Sequence, residues 1–287
     1  MTLSSLGLDA FFEVVRAKSF SQAAKNLHLS QSALSQRVLK LEEELQTTLL
    51  VRDPKGLRLT EPGEHLIRYC QLRQTLEEDV SRHFSSEKTR DGELSGTLRV
   101  AGHSTVTRSV VMPALTSLVK DHPRVKLQIF TREMRDLTAL LRSGEVDMVV
   151  LDHAAKLPGI CHHVLGFEEN VLVEAAKGGN RAVFLDHDAE DTTTLEFFRR
   201  QEPKNRPANL ERMFLDEIYS ILDAVALGWG RAVIPRHLAL SRENLAIMRG
   251  FRAFKVSVVL NYYQQSFYTP LIRRGRETLC SAAKKYL

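Results

Sequence analysis

The chain has 287 residues with 43% apolar side chains, which is enough for two or three compact units with buried cores. Its three cysteines, Cys70, Cys161 and Cys280, are odd in number and far apart, which argues against a disulfide framework and favours a reducing compartment. No apolar run approaches the roughly 20 residues of a membrane span, and the N-terminus lacks the basic start of a secretory signal. We therefore expect a cytoplasmic protein with no membrane partner.

The charge distribution is more informative than the net charge of +5. The segment from Val14 to Lys40 contains five basic residues and no acid, and three glutamates follow it at 42–44. A second basic group comes directly afterwards, with Arg52, Lys55 and Arg58. A polyanion bound to this part of the chain would meet positive charge on both sides.

Residues 19–45, SFSQAAKNLHLSQSALSQRVLKLEEEL, predict two helices joined by a short turn, after a first helix at Leu8–Ala17. Ser21 is a suitable N-cap for the first of the two helices and Ser30 for the second. This arrangement is a helix-turn-helix, in which the N-terminal side chains of the second helix face base edges in the major groove of DNA. The candidate DNA contacts are Ser30, Gln31, Ser32, Ser35, Gln36, Arg37 and Lys40. Taken alone, the second helix also fits a plain amphipathic helix with solvated polar groups.

A β-hairpin is predicted next, because two short apolar runs at 49–52 and 57–60 flank the turn sequence DPKG. This hairpin would be a wing, with Arg52, Lys55 and Arg58 placed to contact the phosphate backbone or the minor groove. Pro62 and Gly63 would end it. We assign residues 1–62 to a winged helix-turn-helix domain.

A long helix from Glu64 to about Phe84 carries a narrow apolar stripe on an otherwise charged surface. The stripe consists of Leu66, Tyr69, Leu76 and Val80. A partner helix from a second subunit would cover such a stripe, although packing against its own domain is the alternative. The polar segment Ser85–Gly96 is then a hinge, so we assign residues 63–90 to a linker and dimerisation helix with its hinge.

Strands alternate with helices from Leu98 onward, which predicts an α/β domain with a parallel sheet. We interpret residues 91–287 as two similar lobes, lobe I with residues 91–161 and 267–287 and lobe II with residues 162–266. The chain would cross between the lobes near Ile160 and again near Tyr263–Phe267.

The carboxyl ends of the predicted strands are where ligands bind in open α/β sheets. These ends hold Ser104, Thr105, Thr131, Glu133 and Asp152. Ser104 and Thr105 lie at a strand-to-helix turn, where hydroxyl and free N–H groups favour an anion such as a carboxylate. Simple helix capping is the alternative role for both hydroxyls.

Metal and enzyme sites find little support in the sequence. Cys161, His162 and His163 are adjacent and have no partner pair at ligand spacing, so we expect no metal and no other cofactor. The nucleophile-elbow, zincin, dinucleotide and P-loop motifs do not occur, so we expect no enzyme. Trp229, between two glycines, is typical of a packed or rim aromatic.

Residues 19–63 closely resemble the N-terminal segment of LysR-type transcriptional regulators. The segments VKLQIFTREMRDLTALLRSGEVDMVV and DAVALGWGRAVIP resemble, more loosely, the effector domains of the same family. The resemblance implies an N-terminal winged helix-turn-helix, a long linker helix and a two-lobed effector domain like the periplasmic solute-binding proteins. It also implies a homodimer or homotetramer on a double-stranded DNA operator, a small-molecule effector between the lobes and, for an activator, contact with RNA polymerase.

Individual positions follow from this resemblance. Gln31, Ser32, Ser35, Gln36 and Arg37 are similar in position to the family residues that approach DNA, with support from the wing. Many members have Arg then Gln where this chain has Gln36 then Arg37, which would change the bases contacted. Met134 stands where a Ser or Thr is common, which puts a second anion contact in doubt.

A narrower resemblance connects this chain with the branch that senses basic amino acids and controls arginine or lysine export. It is carried by SQSALSQRV, LLVR, LRSGEVDMVVLDH, FLDHD and AVIPRHL. Within that branch, Asp152 or Glu133 would pair with the cationic side chain of the effector. The competing class is a cytoplasmic small-molecule sensor without DNA function, against which the basic helix-turn-helix argues.

Overall fold

A computed structural model describes residues 3–53, 56–84, 93–265 and 267–287 of the chain, and the side chains of residues 52–53, 78–79 and 81–84 lie outside that description. The chain divides into two compact units. The first contains Met1–Ala101, Leu118–Val149 and Tyr262–Gly275, and the second contains Gly102–Ser117, Val150–Asn261 and Arg276–Leu287. The boundaries of the predicted domains and lobes stay a prediction.

The first part of the chain forms the predicted helices and hairpin. The elements are α1 (Ser5–Ala17), α2 (Phe20–Asn26), α3 (Gln31–Leu45), β1 (Leu50–Asp53), β2 (Gly56–Leu59) and α4 (Glu61–Phe84). Strands β1 and β2 pair antiparallel. Apolar side chains of α1, α3 and α4 form a buried cluster that includes Phe11, Leu41 and Ile67. This order of elements is a winged helix-turn-helix followed by a long helix.

The helix caps differ from the prediction at one position. Ser30 caps α3, where its Oγ accepts a hydrogen bond from the N–H of Ala33 at 3.1 Å, as expected. The prediction that Ser21 caps α2 is wrong, because α2 begins earlier and Ser19 is its N-cap, accepting from the N–H of Gln22. Both serines precede apolar residues at suitable spacing, so sequence alone did not separate them.

Pro62 and Gly63 do not end the wing as predicted, because both belong to the first turn of α4. Proline is favoured at the first turn of a helix, where its missing N–H would have no helical acceptor. The Thr60 Oγ1 accepts from the N–H of Gly63 at 3.1 Å and so acts as the cap. A Cβ at Gly63 would lie 2.2 Å from the carbonyl oxygen of Leu49, so only glycine allows this approach.

The rest of the described chain alternates strands and helices. Its elements are β3 (Ser95–Gly102), α5 (Ser104–Val106), α6 (Met112–Asp121), β4 (Arg124–Thr131), α7 (Met134–Arg142), β5 (Met148–Leu151), β6 (Ile160–Ala175), β7 (Val183–Asp186), α8 (Thr193–Arg199), β8 (Glu211–Phe214), α9 (Ile218–Ala226), β9 (Ala232–Pro235), α10 (Arg236–Leu240), β10 (Leu245–Ile247), β11 (Phe254–Tyr263) and α11 (Pro270–Ala282). A π-helical turn at Thr107–Val111 joins α5 to α6. The sequence did not predict α10 or β10.

A seven-stranded sheet has the order β10-β6-β11-β5-β3-β4, with β9 pairing with β6 outside this path. Strands β7 and β8 form a separate parallel pair. Strand β6 is 16 residues long and begins at Ile160. Among the described residues, no helix combines the length and apolar character needed to cross a lipid bilayer.

Candidate DNA-binding and effector sites

The N-terminal half of α3 presents short polar side chains on one face. Leu34, Val38 and Leu41 are buried in the domain core, which fixes the rotation of the helix. The predicted contacts Ser30, Gln31, Ser32, Gln36 and Lys40 are exposed, and Ser35 and Arg37 are partly exposed. The helix therefore offers hydrogen-bonding groups and positive charge on the face opposite its core contacts.

Two hydrogen bonds hold the tip of α3 in place. The Ser21 hydroxyl on α2 donates to Oε1 of Gln31 at 2.9 Å, and the hydroxyls of Ser30 and Ser32 lie 3.0 Å apart. Residue Ser21, which does not cap its helix, thus positions a predicted base contact instead. Side chains that are already held by hydrogen bonds, as Gln31 and Ser32 are, lose less conformational freedom on binding than side chains without such bonds.

The acidic residues at the far end of α3 have a structural role that the sequence analysis missed. Oε1 of Glu42 accepts hydrogen bonds from the N–H groups of Leu49 and Leu50, at 2.6 and 3.2 Å. The Glu44 Oε2 accepts from the N–H of Ser4 at 3.3 Å. Glu42 therefore attaches the first strand of the wing, β1, to α3.

The wing is described only in part. The Arg58 side chain is exposed on β2, opposite Val51 of β1 in the strand register. The side chain of Arg52 and the whole of Lys55 lie outside the described residues. Their roles at the DNA backbone stay a prediction.

The predicted dimerisation stripe on α4 separates into two parts. Leu66 is only 8% exposed and packs within its own domain, so it is not available to a partner helix. Tyr69, Leu76 and Val80 are 48%, 40% and 56% exposed. The candidate contact surface therefore consists of these last three side chains.

In the second unit, Ser104 and Thr105 open the helix that follows β3. His103 occupies the N-cap position without a side-chain capping bond, so capping is not the role of the two hydroxyls. Thr105 is buried and Ser104 is partly exposed. The first turn of α5 thus keeps the N–H groups and a hydroxyl that suit an anion.

His103, Asp152 and His187 lie close enough to affect each other electrostatically, and the sequence analysis missed both histidines. Burial lowers the pKa of the His103 imidazole to about 4, while the Asp152 carboxylate opposes the shift and His187 adds to it. His103 is therefore neutral at physiological pH. The Asp152 carboxylate is exposed and accepts a hydrogen bond from Nδ1 of His153.

Asn261 on β11 fixes the loop that carries Asp152. Its Oδ1 accepts from the N–H of Ala155 at 2.8 Å, and its Nδ2 donates to the carbonyl oxygens of His153 and Val259 at 3.2 and 3.0 Å. The Asn261 side chain is fully buried. It would have been hard to find, because no motif in the sequence marks it.

Thr131 and Glu133 belong to the first unit, at the carboxyl end of β4. Both are exposed, and Glu133 occupies the N-cap position of α7 without a side-chain capping bond. That they share a site with Ser104 and Asp152 stays a prediction. Within the described part of the chain, no group of three or more His, Cys, Asp or Glu side chains is arranged to hold a metal ion.

Two family models match the sequence. The model for "Bacterial regulatory helix-turn-helix protein, lysR family" matches residues 7–64, and that for "LysR substrate binding domain" matches residues 91–283. The chain is also 28% identical over 249 residues to the transcriptional activator IlvY of Salmonella typhimurium, an alignment that covers 79% of this chain and 81% of IlvY.

Two solved structures have the same fold over nearly the whole chain. ArgP from Mycobacterium tuberculosis superposes with a TM-score of 0.77 at 22% identity, covering 98% of both chains. Full-length LysG from Corynebacterium glutamicum, solved with bound effector Arg, superposes with a TM-score of 0.75 at 18% identity, covering 99% of both chains.

Proposed function

Because this chain belongs to the LysR family of DNA-binding transcriptional regulators, we propose that the exposed face of α3 contacts base edges of its operator. The chain is a regulator with an effector-binding domain and not an enzyme. A regulator of chromosomal genes acts where the chromosome is, so we propose a cytoplasmic location. The observation that carries the proposal is the ordered Ser and Gln surface at the start of α3, held by Ser21 and the Ser30 cap.

The test is binding of the full chain to a duplex selected from random sequence. Ser35→Ala with Arg37→Ala should weaken binding to the selected duplex by about 1–3 kcal/mol per lost base contact, and should reduce discrimination against mismatched duplexes. Lys120→Ala removes a positive charge from the exposed surface of α6 and serves as the control. Equal losses in the double variant and the control would contradict the proposed interface.

We further propose that the effector is a basic amino acid, with its carboxylate at the first turn of α5 and its side-chain cation at Asp152. Support comes from the exposed carboxylate of Asp152, the anion-suited turn at Ser104 and the arginine bound in the LysG structure. Burial keeps the neighbouring His103 neutral, so it does not compete as a cation for Asp152, whereas the hydrogen bond from His153 would give way to the effector.

Thermal unfolding tests this effector. L-Arginine or L-lysine at about 100 times its dissociation constant should add roughly 2.7 kcal/mol to the stability of the domain that binds it. Asp152→Asn should abolish the shift, whereas Asp121→Asn, an exposed acid on α6, should keep it. A shift with simple carboxylates alone would support the Ser104 anion site and overturn the basic amino acid.

A further inference from the structure

Helix α4 has three faces with different environments. One face, with Leu66, Ile67 and Cys70, is buried against α1. A second face carries the exposed apolar side chains of Tyr69, Leu76 and Val80. The third face has a polar stripe at helical spacing, consisting of Glu64, Arg68, Gln71 and Thr75. Neither the core nor the proposed dimer contact explains this third face.

The polar stripe contacts the regulatory half of the same chain, by which we mean the described residues from 93 onward; the DNA-binding half is the described residues up to 84. The guanidinium of Arg142, at the end of α7, forms a two-pronged ion pair with Glu64, with Nε at 3.0 and 3.1 Å from the two carboxylate oxygens. Nη2 of Arg142 donates to the same carboxylate. Hydrogen bonding and attraction to Glu64 raise the pKa of Arg142. The Glu64 side chain is 15% exposed and that of Arg142 47%, so the carboxylate is shielded while the guanidinium remains open to solvent and dissolved ions.

Two further side chains of the stripe, Gln71 and Arg68, also contact the regulatory half. Nε2 of Gln71 donates to the carbonyl oxygen of Gly144, in the turn after α7. Arg68 lies over the ring of Tyr263, at 4.2 Å from its centroid, at the end of β11. Gly144 has φ +69°, and a Cβ there would lie 1.9 Å from the Gln71 amide. The left-handed backbone conformation of this turn favours glycine, and a side chain at this position would displace the Gln71 amide.

The helix-turn-helix itself joins this contact through α1. Nζ of Lys18, the residue that ends α1, lies 3.0 Å from Oε1 of Glu145. The turn Arg142–Glu145 therefore contacts both α1 and α4 of the DNA-binding half. It does so through charged and polar groups.

A cavity of about 1180 Å³ lies beside these contacts. Its lining includes Phe12 and Leu57 from the DNA-binding half and Phe130 and Leu140 from the regulatory half. Apolar side chains of the two halves are therefore not packed closely against each other along this cavity. The contacts described between the two halves are polar, and interactions of this kind weaken as salt screens them.

We propose that the turn Arg142–Glu145 is a docking surface for the chain's own DNA-binding domain, which it holds through the polar stripe of α4 and the end of α1. The opposite, apolar face of α4 stays open to a second copy of the chain. A displacement of α7 or of the end of β11 is thereby transmitted to α4 and α1, on which α3 packs. Opening the contact releases the DNA-binding domain from the regulatory half.

Hydrogen–deuterium exchange of the full-length protein tests this docking. Glu64→Arg and the milder Glu64→Gln change α4 alone, yet each should speed exchange of the amides at 142–146 by about fivefold. Arg142→Glu should likewise speed exchange in the first turns of α4. The charge swap Glu64→Arg with Arg142→Glu should restore exchange to near the wild-type rate at both places. Lys126→Glu, an exposed charge reversal on β4, is the control and should leave both segments unchanged.

Salt provides an independent arm of the experiment. Raising the salt concentration from about 0.05 to about 0.5 M should speed exchange at 142–146 in the wild type but much less in Glu64→Gln. Wild-type exchange rates in both single reversals would overturn the proposal. So would a charge swap that leaves exchange fast while circular dichroism shows a native fold. These outcomes do not depend on operator or effector binding, so they are separate from the proposed function.

Discussion

At the scale of single residues, two adjacent glutamates of α3 have different structural roles. Glu42 receives two backbone N–H groups of the wing, whereas Glu43, the next residue, is exposed. The sequence located the acidic triplet at the far end of α3 but did not distinguish its members. Which glutamate bonds to the wing depends on where β1 lies relative to α3 in the folded chain, and the local sequence pattern does not determine that position.

Glu42→Ala should therefore destabilise the protein and Glu43→Ala should not. Loss of a charged acceptor leaves the N–H groups of Leu49 and Leu50 without their partner, which costs about 1–3 kcal/mol. Urea unfolding of both variants measures the difference. Equal stabilities would mean that water replaces the Glu42 carboxylate without loss.

Glu168 on β6 and His237 on α10 are a second residue-scale case. Their nearest atoms, Oε1 and Nε2, are 3.9 Å apart, too far for a hydrogen bond, and neither atom has another partner among the described residues. Burial raises the pKa of Glu168 to about 7 and lowers the pKa of His237. Both groups are thus driven towards their neutral forms.

The raised pKa of Glu168 predicts a pH-dependent stability. A carboxyl with a higher pKa in the folded state binds its proton more tightly there, so stability is lost as pH rises from about 4.5 to about 7. Glu168→Gln should remove this decline and gain up to about 3 kcal/mol at pH 8, with a small effect at pH 5. Chemical unfolding of the variant and the wild type at pH 5 and pH 8 measures the difference in stability. An equal difference at both pH values would contradict a raised pKa of Glu168 as its cause.

At the scale of elements, the sequence predicted the order of helices and strands well up to α4, where periodicity and caps are strong. The first half of β6 gives no such signal, because polar and apolar residues are mixed from Ile160 to Glu168 without a clear alternation. Strands β9 and β10 pair with β6 only over residues 170–175, and β11 is its other neighbour in the sheet, so the full length of β6 depends on strands that lie far from it in the sequence.

The apolar face of α4 carries the element-scale prediction. Pairing of two copies through this stripe predicts that Leu76→Glu shifts the protein from dimer to monomer at micromolar concentration, because a charge in the interface would have to be desolvated. Leu195→Glu changes an equally exposed leucine, on α8, and should leave the assembly intact. Light scattering after size-exclusion chromatography gives both masses, and a Leu76→Glu protein of unchanged mass would rule out this stripe.

At the scale of the whole molecule, motif spacing was sufficient to predict a winged helix-turn-helix followed by an α/β domain. It was not sufficient for the parts of the site that depend on distant contacts. Asn261 is more than 100 residues from the loop it fixes, and Glu64 is 78 residues from Arg142. Neither pair has a local pattern, so only the folded chain brings them together.

A symmetric dimer predicts the form of the operator. Each α3 would occupy one half-site, so the two half-sites should form an inverted repeat with centres about 10 base pairs apart or a multiple of that distance. Selection from random duplexes followed by sequencing gives the repeat. Recovery of single half-sites alone by the wild-type protein would contradict dimeric binding.

The proposed DNA-contact face of α3 and the apolar face of α4 lie on different helices, which predicts a genetic consequence. In a dimer formed through α4, a subunit with Arg37→Ala keeps Tyr69, Leu76 and Val80 and should still pair with normal subunits. In a cell that makes the wild type and the variant in equal amounts, only about a quarter of the dimers would then have an intact α3 face in both subunits. We therefore expect such an allele to be dominant over the wild type, and an allele that combines it with Leu76→Glu to be recessive.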